Sequence, residues 1–201
     1  MIMDVYDIVL DDQSEGLESI SLVLSPAIET NFLTFSKEEP KSLQFMDEEK
    51  HIISGPSLIA NLPIYRITPG GYEYYVNFSK EVIEQLVERY FSHNLTNSVD
   101  INHDGNPVEG VVMTESYIIN HDRGICPKEF SDLSDGSWIT SFKVLNDEVW
   151  SKVKSGEVKG FSVSGLFSMI DSKFASQDKK DDDEEECIEL LNQIKKKLGM
   201  K

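Results

Sequence analysis

The chain has 201 residues, which is the size of one ordinary domain with tails. Hydrophobic residues make up 39% of it, so a buried core is feasible and disorder of the whole chain is excluded. Its 19 Lys and Arg residues against 36 Asp and Glu residues give a formal net charge of −17, which disfavours a nucleic-acid partner because it repels phosphate backbones.

Targeting signals and cysteine usage indicate where in the cell the protein is expected to be. No stretch approaches the ~20 apolar residues that a membrane-spanning helix needs, and the N-terminus has no basic region followed by an apolar run. The two cysteines, Cys126 and Cys187, form neither a CxxC pair nor a disulfide framework. We therefore expect no membrane partner and a reduced, cytosolic setting.

The negative charge lies mainly in the first quarter of the chain. Residues 1–50 carry twelve acids and three lysines, a net of −9, whereas residues 176–201 carry eight acids and six lysines, a net of −2. We interpret 1–50 as an acidic leader and 51–175 as one compact domain. Residues 176–201 read as an acidic linker that leads into a short amphipathic helix at 187–198.

Between these two ends the sequence has the texture of a β-rich domain with two helices. Short runs of β-branched and aromatic residues predict strands at 52–56, 63–67, 72–78, 99–102, 110–119, 138–145 and 161–170, with a hairpin turn at 69–71. Ser79 is a good N-cap for a helix that continues through Phe91. Asn146 can cap a second, shorter helix that ends at Gly156.

This order of elements predicts the fold class. The strands and helices follow no βαβ rhythm, and the sequence has no internal repeat. We therefore predict an α+β domain that is built on a mostly antiparallel sheet or small β-barrel with flanking helices.

Two His-Asp dipeptides, His103-Asp104 and His121-Asp122, raise the question of metal chemistry. Metal-dependent phosphohydrolases place such ligands on neighbouring helices, whereas both dipeptides here follow strand-like segments. The sequence also lacks an HExxH motif and a glycine-rich phosphate loop with Lys. A His-Asp phosphohydrolase stays a lesser alternative, and we predict neither a metal nor a cofactor.

A pair of serines is the better candidate for nucleophilic chemistry. Ser162 and Ser164 alternate with Phe161 and Val163, so the two hydroxyls share one face of a strand. The nucleophile-elbow pattern G-x-S-x-G is not met around Ser162. By pattern alone, such a pair is more often structural than catalytic.

The order of several motifs resembles a known family. The segments are Asp100-Ile101-Asn102-His103-Asp104, 109–119, 138–150 and Gly156-Glu157-Val158-Lys159-Gly160-Phe161-Ser162. Their succession, over roughly residues 51–169, resembles the XkdF-like serine proteases of tailed phages, relatives of the prohead maturation proteases. The resemblance implies a fold similar to herpesvirus assemblin, a small β-barrel with peripheral helices.

The resemblance also implies catalytic roles. The family pairs a His that follows a strand with a Ser in a G-[LF]-S-[IV] segment, which here are His103 and Ser162. His103 would take the proton from Ser162 and later return it to the leaving amine. For the group that orients His103 we favour Glu115, because a carboxylate on an otherwise apolar strand face needs a partner. His121 and Asp171 stay open as alternatives.

The expected activity follows from this resemblance. The chain would be a capsid-maturation serine endopeptidase that cleaves scaffold and major capsid proteins, and its own termini, inside the procapsid in the host cytoplasm. A homodimer is left open. The alternative is a non-catalytic, scaffold-like assembly protein whose acidic leader and C-terminal helix bind capsid subunits.

Overall fold

The computed structural model describes residues 3–11, 16–24, 26, 45–47, 50–68 and 70–172. In the N-terminal half of this part the strands are β1 (Asp4–Val9), β2 (Gly16–Val23), β3 (Phe45–Asp47), β4 (Ile52–Leu58), β5 (Ile64–Ile67) and β6 (Glu73–Asn77), followed by helix α1 (Lys80–Ser92). The later elements are β7 (Val99–Ile101), β8 (Val111–Ile118), β9 (Trp138–Val144), α2 (Asp147–Ser155), β10 (Gly160–Leu166) and β11 (Ser168–Asp171). Single-turn 3-10 helices lie at Leu95–Asn97 and Lys128–Phe130.

The α+β class is confirmed, but the sheet prediction needs a correction. In the described part of the chain the strands form three sheets, with the orders β11-β1-β6-β5, β10-β2-β7 and β3-β4-β9-β8, and no closed barrel. One reason is that the single strand predicted at 161–170 is two strands. β10 pairs with β2, whereas β11 pairs with β1 of another sheet. The likeness to assemblin stays a prediction.

Both helices begin after their predicted N-caps, and α2 ends at the predicted glycine. The Ser79 hydroxyl accepts a hydrogen bond from the Val82 amide at 3.3 Å, and the Asn146 side chain accepts from the amides of Glu148 and Val149. Gly156 ends α2 with φ +74°, a left-handed conformation that glycine adopts without strain.

The core lies between α1 and the central strands. β9 is buried along nearly its whole length, and Trp138 and Phe142 are completely buried. Ile83, Leu86 and Tyr90 form the buried face of α1, and the Tyr90 ring meets the Trp138 ring edge to face with centroids 5.3 Å apart. α1 also packs on β2.

The first two strands come from the segment interpreted as an acidic leader. β1 pairs in parallel with β6 and antiparallel with β11, and β2 pairs in parallel with β7 and antiparallel with β10. Residues 4–9 and 16–23 therefore contribute to the same sheets as the later strands. The predicted linker and the predicted helix at 187–198 lie outside the described residues.

No helix within the described residues has the length and apolarity needed to cross a membrane.

Candidate active site

The candidate site lies on one face of the β10-β2-β7 sheet, at the point where β7 ends. Asn102 and His103 both take positive φ angles, +55° and +59°, so the chain turns sharply directly after the strand. The Asn102 side chain accepts a hydrogen bond from the Leu24 amide at 3.3 Å, and the Gly105 amide donates to Asp100 Oδ2 at 3.1 Å. These bonds hold the turn that positions the imidazole of His103.

Two serine hydroxyls meet one nitrogen of that imidazole. His103 Nδ1 lies 2.5 Å from Ser164 Oγ and 2.8 Å from Ser21 Oγ. When Nδ1 is unprotonated it offers one lone pair, so one hydroxyl at a time can donate to it. Because Ser164 is partly exposed whereas Ser21 is fully buried, Ser164 is the more accessible of the two.

The predicted nucleophile, Ser162, lies on the same strand face but is not hydrogen-bonded to His103 in the described part of the chain. Ser162 is directly opposite Ser21 in the β10–β2 register, and its residue is 6% exposed. The prediction that Ser162 and Ser164 share a face agrees with this placement. The structure brings His103 together with Ser164 and Ser21, and Ser162 is their neighbour.

Asp100 completes a polar row across the three strands. Ser162 is opposite Ser21, and Ser21 is opposite Asp100, so their side chains lie on one sheet face. Asp100 is 5% exposed, and its Oδ1 is buried without a hydrogen-bond partner among the described residues. A buried carboxylate oxygen without a partner is costly, which marks this position as functional or strained.

Glu115, the carboxylate predicted to orient His103, lies in the β3-β4-β9-β8 sheet. Its Oε2 accepts a hydrogen bond from Ser141 Oγ at 2.6 Å, and Ser141 Oγ is 2.7 Å from Ser54 Oγ. In the described part of the chain Glu115 makes no hydrogen bond to His103, so the structure does not join these two predicted site residues.

The prediction that Glu115 shares a strand face with Val111 and Met113 is wrong for a local reason. The register of β8 against β9 shifts between Met113 and Glu115, so one extra residue interrupts the alternation of side chains. Met113 is opposite Phe142, whereas Glu115 is opposite Ser141 on the other face. Strict alternation, on which the prediction rested, does not pass through such a bulge.

The two alternative orienting residues, His121 and Asp171, also make no hydrogen bond to His103 in the described part of the chain. His121 Nδ1 is hydrogen-bonded to Asp135 Oδ1, and this bond raises the pKa of His121. Asp171 is an exposed residue of β11, opposite Tyr6 of β1. Among the described residues, no group of three His, Cys, Asp or Glu side chains is placed to hold a metal ion, so the His-Asp phosphohydrolase gains no support.

Sequence reasoning missed Ser21 and Asp100 as members of this site. A signal existed for Ser21, because Ser19 and Ser21 alternate with Ile20 and Leu22 as the hydroxyls of β10 alternate with apolar residues. No local signal links β2 to β10 or to β7. Such pairing between distant segments appears only when the sheet is assembled.

Comparison with known proteins finds one family that part of the chain resembles. Residues 73–171 match the family model described as "Putative phage serine protease XkdF". The chain is also 33% identical over 93 residues to the phage-like element PBSX protein XkdF of Bacillus subtilis (strain 168). Just under half of the chain is therefore similar to the XkdF-like family. The predicted family resemblance is thereby confirmed.

The extent of these matches matters for the site of this XkdF-like chain. The match to the curated relative covers 46% of this chain and 31% of the relative, so the chain spans about a third of that protein. His103, Ser162 and Ser164 lie inside the segment that matches the family model, whereas Ser21 precedes it. No solved structure matches the chain.

Proposed function

We propose that this XkdF-like chain is a serine endopeptidase in which His103 is the general base. The observation that carries the proposal is the 2.5 Å contact between Ser164 Oγ and His103 Nδ1, on a rigid sheet face within the segment that matches the family. A hydroxyl is a weak nucleophile until a neighbouring base removes its proton, and this geometry supplies such a base.

The proposed reaction follows from this arrangement. His103 takes the proton of the serine as its oxygen attacks a peptide carbonyl, and the resulting imidazolium gives the proton to the leaving amine. Water then repeats the sequence on the acyl-enzyme, with His103 as the base again. Asp100, a buried residue of β7 that accepts from the Gly105 amide of the His103 turn and lies on the same sheet face as Ser21, is the carboxylate that we assign to stabilise the imidazolium.

Two serines compete for the role of nucleophile. The resemblance favours Ser162. Hydrogen bonding in the structure favours Ser164, because among the described residues only Ser164 and the buried Ser21 contact His103 Nδ1. Ser162 and Ser164 are two residues apart on one strand face, so a small shift of the His103 ring could exchange them. We take Ser164 as the primary assignment, and Ser162 as its competitor.

The substrates that we propose are scaffold and major capsid proteins, cleaved together with the termini of the chain itself inside the procapsid. The proposal rests on the family description, which names phage serine proteases. A homodimer is compatible with it but is not required. If the chain cleaves itself, mass spectrometry of protein from assembled particles would find trimmed ends rather than residues 1–201.

The test combines active-site labelling with cleavage. Ser164→Ala, Ser162→Ala and the control Ser155→Ala, an exposed position at the end of α2, would each be treated with a fluorophosphonate probe and co-expressed with the scaffold and capsid proteins of the same phage. We expect Ser164→Ala to lose both labelling and cleavage, and Ser155→Ala to behave as the unmodified chain.

Two other results have clear meanings. Loss of labelling in Ser162→Ala alone would move the nucleophile to Ser162 and keep the proposed activity. Undiminished cleavage in the double variant Ser162→Ala, Ser164→Ala would contradict a serine peptidase at this site. It would favour the alternative of a non-catalytic assembly protein.

A further inference from the structure

A second cluster of reactive side chains lies in the loop that connects β8 and β9. These two strands belong to a different sheet from the one that carries the candidate active site. Cys126 Sγ is 3.3 Å from His121 Nε2, and His121 Nδ1 is hydrogen-bonded to Asp135 Oδ1. The thiol thus contacts the imidazole, and the imidazole in turn contacts the carboxylate. This is the order of nucleophile, base and orienting group that activates cysteine in many enzymes.

The loop that carries this cluster is firmly held. Asn120 and Ile125 exchange two backbone hydrogen bonds of 2.9 Å, which close a tight turn around His121. At the base of the loop, the Ile119 amide donates to the Ser137 carbonyl oxygen, and the Gly136 amide donates to the Ile119 carbonyl oxygen. Phe130 is buried in the core. The cluster is therefore preorganised rather than assembled on binding.

Asp135 fixes the imidazole in two ways. Its Oδ1 accepts from the His121 backbone amide at 3.0 Å as well as from the ring Nδ1. With Nδ1 donating to Asp135, neutral His121 can accept from the thiol at Nε2. Once Nε2 is protonated, it can donate to the Ser131 carbonyl oxygen, 3.3 Å away. The hydrogen bond to Asp135 also raises the pKa of His121, so the imidazolium that forms when the thiol loses its proton is stabilised.

The cluster is accessible to reagents in solution. The His121 and Asp135 side chains are 45% and 48% exposed, and Cys126 is half-buried. Sγ also lies 3.7 Å from the Phe130 carbonyl oxygen and 3.9 Å from that of Pro127. The sulfur of this half-buried residue therefore has polar contacts with His121, Pro127 and Phe130.

We propose that Cys126, His121 and Asp135 form a reactive-thiol site that takes small disulfides as its substrate class. The Cys126 proton passes to His121 Nε2, and the thiolate attacks one sulfur of the disulfide R–S–S–R. A Cys126–S–S–R bond forms, the S–S bond of the reagent breaks, and the departing RS⁻ takes the proton from His121. The net change is a mixed disulfide and one thiol, RSH, with no further oxidant.

The experiment uses the full chain with Cys187→Ser, so that Cys126 is its one thiol. The rate of reaction with 5,5′-dithiobis(2-nitrobenzoate), a small aromatic disulfide, is followed from pH 5 to pH 9. An ordinary thiol is about 1% ionised at pH 6.5, so its reaction is slow there. We expect the Cys187→Ser chain to react about tenfold faster or more at pH 6.5 than the same chain with His121→Gln.

The matched comparisons separate activation from exposure. Asp135→Asn should move the midpoint of the pH–rate profile upward, whereas Asp132→Asn, an exposed acid in the same loop, should leave it unchanged. A substitution that only opens the loop would change the plateau rate and not the midpoint. The midpoint is also set by the other charged or titratable groups whose fields reach the cluster, which are Lys80, Tyr117, Asp122 and Glu129.

The pH midpoints and the rates at pH 6.5 decide the proposal. A profile midpoint that rises in both His121→Gln and Asp135→Asn supports the site. Equal midpoints, with rates at pH 6.5 within twofold in all variants, overturn it. In urea, the rate of reaction with the aromatic disulfide should be the same for every variant, because the cluster exists only in the folded chain.

Discussion

Ser164 Oγ and His103 Nδ1 are 2.5 Å apart although 61 residues separate them in the sequence. The strands that carry them do not pair with each other. Ser164 is on β10 and His103 follows β7, while β2 lies between those two strands. The contact therefore depends on a turn at the end of β7 that folds the imidazole back over the sheet, towards the hydroxyls of β10 and β2.

His103→Gln tests the role of the base. A positioned general base contributes about 10²–10⁴-fold to a reaction rate, and glutamine can occupy the same volume without accepting a proton at neutral pH. We expect cleavage of the co-expressed capsid proteins to fall by about that factor. His93→Gln, at the exposed C-cap of α1, should retain activity, and equal activity of the two variants would contradict the role of His103.

Gly165→Ala tests the backbone that places Ser164. The register between β10 and β2 shifts directly after Ser164, and a Cβ on Gly165 would lie 2.1 Å from the Gly16 carbonyl oxygen. Relief of this clash must separate the strands, so we expect the free energy of unfolding to fall by about 1–3 kcal/mol, together with a loss of cleavage. Urea unfolding provides the measurement.

Gly70→Ala is the control for that substitution. A Cβ there has Thr68 Oγ1 as its nearest neighbour, at 3.8 Å, which is an ordinary contact. Its free energy of unfolding should stay close to that of the unmodified chain. If both glycine variants unfold at the same urea concentration, the close approach of β10 and β2 is not as described.

Asp100 and Glu115 can be distinguished by paired amide substitutions. Asp100→Asn keeps an acceptor for the Gly105 amide but removes the buried charge next to the His103 turn. We expect it to fold and to lose cleavage activity, because it removes the buried negative charge that is proposed to stabilise the His103 imidazolium.

Glu115→Gln should instead retain cleavage, because the Glu115 carboxylate is bonded to Ser141 in another sheet. The same measurement, cleavage of the co-expressed capsid proteins, applies to both substitutions. If Glu115→Gln abolishes cleavage while Asp100→Asn does not, the originally predicted role of Glu115 is correct.

The pair His121–Asp135 predicts a pH dependence of stability. The hydrogen bond to Asp135 raises the pKa of His121, so its contribution is present below the unfolded pKa of histidine and is lost as the pH rises through the folded value. The pKa of Asp135 is lowered by the same bond, so its contribution is lost as the pH falls through its folded value.

The stabilising effect is therefore greatest between about pH 4 and the unfolded pKa of histidine, about 6.5, and is lost as the pH rises through the folded pKa of His121. We expect the difference in urea midpoint between the unmodified chain and Asp135→Asn to be largest in that window and to shrink above it. NMR titration should place the His121 pKa lower in Asp135→Asn. A His121 pKa that is unaffected by this substitution would contradict the interaction.

Local sequence patterns were sufficient to predict the helices and most strands. The caps at Ser79 and Asn146 act within one turn, so their effect is visible in a window of a few residues. The division of residues 160–171 into β10 and β11 could not be predicted in this way. It results from pairing with β2 and β1, which lie far away in the sequence.

The candidate site was predictable only in part for the same reason. The resemblance to the family pointed to His103 and Ser162, whereas the β10 hydroxyl that contacts His103 is that of Ser164, two residues further along the strand. Glu115 was chosen by side-chain alternation, which the bulge after Met113 interrupts. Ser21 and Asp100 join the site through the order β10-β2-β7, and no short-range pattern encodes that order.

The central position of β2 sets a limit on how far the N-terminus can be processed. β2 is hydrogen-bonded on one edge to the strand of the serines and on the other edge to the strand that leads to His103. Loss of residues 16–23 would leave β10 and β7 without the strand that connects them. An N-terminal cut that preserves the site must therefore fall before Gly16, and a cut beyond Val23 would switch it off.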